Sequence, residues 1–275
     1  MELGPDSINT ANQFSYTSLP TARSVRLLEL HPPLADGGTC FTLFTTELET
    51  APAYDALSYT WGSPALPYIG PDRGSVSPIA APFVVNCNGK PFLVHENLRD
   101  ALRMLQSLDF SAVGQIKSRY LWVDAICIDQ TNLAERAAQV RLMDQIYQQA
   151  EVVVSWLGPE DETTSDLFVV IENLSTISPD LYSCVSMEDI WRPEIYASKL
   201  GILPLTQKHW LAWVAFMHRP YFARVWTGCH VIYSAATNAT GFCASSMNCW
   251  LSNGGVLCDV LNAFYHRFVT RFASN

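Results

Sequence analysis

Tyr120-Leu121-Trp122-Val123-Asp124-Ala125-Ile126 is an apolar run broken by a single carboxylate. A short run of this kind, without polar alternation, is the pattern of a strand buried on both faces, as in a parallel sheet. Asn132 then opens a helix, with Glu135 in its first turns. Ala137, Val140, Met143, Ile146, Tyr147 and Ala150 are assigned to the inner face of that helix. Val152 to Leu157 reads as a second buried strand, closed by Gly158-Pro159. A strand, a helix and a strand in succession imply parallel strands with a right-handed crossover. The strands at 120–126 and 152–157 are expected to be neighbours.

Upstream, Glu96 to Leu108 is helical, with Leu98, Ala101, Leu102, Leu105 and Leu108 on one face. Before it, Phe83-Val84-Val85 and Pro91-Phe92-Leu93-Val94 flank Asn88-Gly89, a dipeptide that accepts positive φ, and so form a hairpin. Residues 25–30, 40–48 and Tyr54 to Trp61 read as further strands. Downstream, Thr164 to Leu174 forms a helix with Asp161 or Thr163 available as its cap. Residues 176–206 read as irregular, 207–217 as an aromatic helix, and 256–272 as a helical pattern. The expected fold class is α/β: a central, mostly parallel sheet flanked by helices, with an N-terminal β extension and a hairpin. The expected organisation is a flexible lead-in at 1–22, one domain at 23–250 with a Pro/Gly-rich loop at 63–82, and a helical tail at 251–275.

Composition narrows the function classes. The 275 residues carry 17 Lys+Arg against 26 Asp+Glu, a net charge of −9. Neutralising phosphates takes a basic face, so nucleic acid is not an expected partner. Aromatics at 12% and a hydrophobic fraction of 49% exclude a disordered acidic chain. No window approaches the ~18 apolar residues of a membrane span. Met1 to Leu19 has neither a basic start nor an apolar stretch of the secretory kind, so a cytoplasmic location with reduced thiols is expected. The eight cysteines form no CxxC pair and have no histidine at zinc-ligand spacing, so no metal is expected. No phosphate loop, GxSxG elbow or HExxH motif is present.

Three clusters carry potential chemistry. Asp124, Asp129 and Glu135, with Gln130, Arg136 and Gln139, form the densest polar group in an apolar setting. Asp124 falls near the carboxyl end of a buried strand, where open α/β sheets bind ligands. These acids are candidates for catalysis, and equally for capping and ion pairing. Tyr59, Trp61 and Gly62 end another strand, and an exposed Trp before a turn is suited to stacking on a ligand ring as well as to core packing. Arg219 and Arg224, near Trp226 and His230, are suited to clamping a phosphate or carboxylate, or to pairing with Asp124 and Asp129.

Several of these stretches together resemble the fungal heterokaryon incompatibility (HET) domain. They are Tyr54-Asp55-Ala56-Leu57-Ser58-Tyr59-Thr60-Trp61-Gly62, Asn97 to Leu102, Leu121 to Gln130, and the Glu135-Arg136 to Gly158 series. Arg219-Pro220-Tyr221-Phe222-Ala223-Arg224-Val225-Trp226 is similar to the family's closing motif, which usually continues into Gln-Glu; here Cys229 and His230 occupy those places. The resemblance implies an interaction or effector module in fungal allorecognition and programmed cell death, an immunity-like signalling role. It would act by self-association or with a protein partner and without a cofactor. The family has also been likened to TIR domains, an α/β fold of which some members cleave NAD. That likeness implies a TIR-like or flavodoxin-like sheet. It also leaves open an alternative, a nucleotide (NAD) hydrolase using the acids near Asp124.

Overall fold

In the computed structural model, residues 13–64, 82–107, 119–177 and 192–223 are described. The chain divides into two compact units, residues 1–159 and 160–275. The first is built on one seven-stranded sheet: β1 (Ser24–Leu30), β2 (Cys40–Glu47), β3 (Tyr54–Tyr59), β4 (Phe83–Cys87), β5 (Lys90–Val94), β6 (Tyr120–Val123) and β7 (Val153–Trp156). Their spatial order is β5-β4-β2-β1-β6-β3-β7. The parallel core is β6-β3-β7, with Ala56 opposite Trp122 on one side and Leu57 opposite Val154 on the other. Every residue of β3 is buried, because it has a strand on each edge and packed side chains on each face.

The rest of the sheet extends this core. β1 runs antiparallel to both β6 and β2, β4 parallel to β2, and β5 antiparallel to β4. Five of the seven strands therefore point the same way, a mostly parallel α/β sheet. The β4–β5 hairpin turns on Asn88 and Gly89, with φ of 54° and 78°, values that favour this dipeptide in a two-residue turn.

Among the described residues, three α-helices belong to this unit: α1 (Glu96–Ser107), the single turn α2 (Asp124–Cys127) and α3 (Leu133–Gln149). α1 buries Leu98, Ala101, Leu102 and Leu105, as the sequence spacing implies; Leu108 lies outside the described residues. Asn132 caps α3, its side-chain oxygen accepting from the Glu135 N–H at 3.1 Å. Tyr54 Oη donates to the Ile146 carbonyl at 2.6 Å and Tyr147 Oη to the Leu57 carbonyl at 3.4 Å, fixing α3 against β3.

Four expectations are corrected. The strand at 120–126 ends at Val123; Asp124 begins a helical turn, its own Oδ1 accepting the Ala125 N–H at 2.7 Å. The strands at 120–126 and 152–157 are not neighbours, because β3 is inserted between them and the crossover through α3 spans it. The inner face of α3 is Gln139, Leu142, Ile146 and Tyr147, whereas Val140 is 40% exposed. The physical reason is Gln139, whose amide donates to the Ser24 carbonyl at 2.9 Å and so turns a polar side chain inward. Last, 176–206 is not wholly irregular: it contains a helix, Pro193–Leu200.

The second unit contains α4 (Thr164–Ser175), α5 (Pro193–Leu200), α6 (Gln207–Met217) and a 3-10 turn at Pro220–Ala223. α5 starts with Pro193, whose fixed φ suits a first helical position, and ends at Gly201 in the left-handed region with φ 70°. α4 packs on α6. Leu167, Val170, Leu174, Tyr196, Trp210, Trp213, Val214 and Phe216 are buried here. Among the described residues no helix is long and apolar enough to cross a membrane. The loop at 65–81 and the pattern at 256–272 lie outside the described residues.

Candidate functional site

The carboxyl ends of β6, β3 and β7 bring four side chains into a hydrogen-bonded row. Trp61, two residues past β3, donates its Nε1–H to Asp124 Oδ2 at 3.0 Å, just past β6. Trp156, the last residue of β7, donates its Nε1–H to Asn97 Oδ1 at 2.7 Å. Asn97, in the first turn of α1, donates in turn to the Thr60 carbonyl at 2.6 Å. This is the edge of an open parallel sheet at which ligands bind.

Asp124 is 9% exposed and Trp61 40% exposed. The Asp124 carboxylate takes the indole N–H on one oxygen and the Ala125 N–H on the other. The Asp124 carbonyl accepts from Gln130 Nε2 at 2.9 Å. Trp61 therefore presents ring surface to solvent while its only polar atom is held. Tyr59 is buried in β3. Gly62 is exposed, with open space around the position of a Cβ.

The other two acids of the cluster are engaged elsewhere. Glu135 forms a two-pronged ion pair with Arg26 on β1, at 2.5 Å and 3.1 Å, with side chains only 7% and 3% exposed. It also accepts the Asp129 N–H at 2.8 Å. Asp129 uses Oδ1 to accept the N–H and hydroxyl of Thr131 at 3.0 and 2.6 Å, which makes it the hinge of the turn into α3. The sequence-level signal for Arg26 is a charged residue inside the strand Val25-Arg26-Leu27-Leu28. A side chain so placed needs a carboxylate, and Glu135 is it.

In the second unit Arg219 donates to Asp161 Oδ2 at 2.7 Å. Burial raises the Asp161 pKa, but hydrogen bonds from Thr163 and Thr164 and the Arg219 guanidinium outweigh it and hold the carboxyl below its usual value. Arg224, Cys229 and His230 lie outside the described residues. Cys127 has no nucleophile's character: burial pushes its thiol up to about 12, and its Sγ accepts the Val123 N–H at 3.3 Å. Among the described residues no three His, Cys, Asp or Glu converge as metal ligands.

The sequence matches the family model described as Heterokaryon incompatibility protein (HET) over residues 54–228. It is also 28% identical over 250 residues to heterokaryon incompatibility protein 6, OR allele, of Neurospora crassa, an alignment covering 81% of this chain and 34% of that protein. The chain thus spans about a third of the length of that curated relative. No solved structure matches.

Proposed function

The chain belongs to the heterokaryon incompatibility (HET) family, and from that premise we propose that it acts in fungal allorecognition as an interaction or effector module whose engagement leads to programmed cell death. It works in the cytoplasm through a protein partner or self-association, with no cofactor. The observation that carries this reading is the state of the acidic cluster. Glu135 is committed to Arg26, Asp129 to the Thr131 turn, and the Asp124 carboxylate to Trp61 and Ala125. Groups held this way position backbone and rings.

The second reading is a nucleotide (NAD) hydrolase with Asp124 as its acid. It is favoured by the partly exposed Trp61 ring at the carboxyl ends of three parallel strands, and by the buried Thr60 Oγ1, which has no hydrogen-bond partner. In it Trp61, Tyr59 and Gly62 are the binding candidates of this unit. Induced expression of the chain in a filamentous fungus separates the two. The module reading expects growth arrest that persists in Asp124→Asn, which keeps an acceptor for the Trp61 N–H but removes the carboxylate. Arrest lost in Asp124→Asn at equal protein level, or no arrest by either chain, contradicts it.

A further inference from the structure

The turn that carries Asp124 is clasped from a distant part of the chain. Tyr16 donates its phenol O–H to the Ile126 carbonyl at 2.7 Å. Arg26 donates Nη1 to the Cys127 carbonyl at 3.0 Å and Nη2 to the Thr17 carbonyl at 2.7 Å. The Arg26 guanidinium lies over the Tyr16 ring, 4.8 Å from its centroid. Two residues further on, Glu135 holds the Asp129 N–H. Apart from the Thr17 carbonyl, every backbone group so held lies between Ile126 and Asp129, within five residues of Asp124.

Residues 14–17 are themselves seated on the sheet. The Phe14 N–H donates to the Pro91 carbonyl at 3.0 Å. The Phe14 ring meets Tyr16 and Phe92 edge to face, at 5.1 and 5.6 Å between centroids. Burial raises the Tyr16 phenol well above its usual pKa, so it stays a donor.

We infer that residues 14–17 are a strap that sets the Asp124–Trp61 pair, so that displacing the strap releases this pair and leaves the neighbouring Trp156–Asn97 pair in place. The two indoles sit on adjacent strands, β3 and β7, at the same sheet edge. Only the partner of Trp61 is borne on the clasped turn; Asn97 is borne on α1. A ligand or partner that competes for residues 14–17 would thereby change what the Trp61 edge presents, without touching it. This coupling joins two places in the same unit and holds whether the edge serves docking or catalysis.

The test follows the indole N–H signals of the 15N-tryptophan-labelled chain, assigned with Trp61→Phe and Trp156→Phe. Tyr16→Ala removes the phenol donor and the ring beneath Arg26; Tyr16→Phe removes the donor alone. The expected result is solvent exchange of the Trp61 indole proton faster by about tenfold or more in Tyr16→Ala, and by a smaller factor in Tyr16→Phe, with the Trp156 indole proton unchanged. Unchanged Trp61 exchange in Tyr16→Phe, or equal acceleration of both indoles, overturns the inference. Should Tyr16→Ala not fold, the Tyr16→Phe comparison alone decides.

Discussion

Arg26 and Glu135 are the two residues on which the turn between β6 and α3 depends most. Removing one partner of a buried, doubly hydrogen-bonded ion pair leaves an uncompensated charge, which costs about 3–5 kcal/mol. Glu135→Ala is therefore expected to lose that much in denaturant unfolding of the chain, and Arg26→Met combined with Glu135→Leu to recover most of it. Equal losses in the single and double variants would show that the pair holds no special position. This pairing was legible only in part. Glu135 stands out in the sequence as a member of an acidic cluster, but nothing in spacing says that its partner lies on a strand 109 residues away. Trp61 was legible as a ring at a strand end. Its hydrogen bond to Asp124 was not, because that depends on β3 and β6 being adjacent and in register.

Among the elements, α3 separates what periodicity reveals from what it hides. Its extent and its Asn132 cap follow directly from the sequence. Its inner face does not, because a buried Gln139 interrupts the apolar stripe and makes Val140 look like a core position. The structure predicts opposite outcomes for the two neighbouring apolar positions. Leu142→Ala, in the core, should cost about 2–5 kcal/mol by cavity formation. Val140→Ala, on the exposed face, should change stability by no more than about 0.5 kcal/mol. Thermal or urea unfolding of the two variants measures this; comparable losses would mean that Val140 is covered. α5 is hidden for a different reason: proline breaks a helix interior, but at the first helical position Pro193 is a starter.

At the scale of the whole molecule, the α/β class and the mostly parallel sheet were legible because β6, α3 and β7 each carry a clear local pattern. The strand order was not. β3 lies between β6 and β7 although both follow it in the chain, and only the right-handed crossover rule limits where it can go. That insertion is what brings Trp61 beside Asp124 and Trp156 beside Asn97, so the candidate site is a product of topology more than of any motif. We propose that this edge, its acids held in structural hydrogen bonds, serves an interaction module and not a nucleotide-cleaving enzyme. Incubation of the purified 275-residue chain with NAD, with products followed by chromatography, tests it most directly. NAD is expected to be left intact, with the same trace from the wild-type chain and from Asp124→Ala. Turnover of NAD by the wild-type chain that Asp124→Ala abolishes would contradict it.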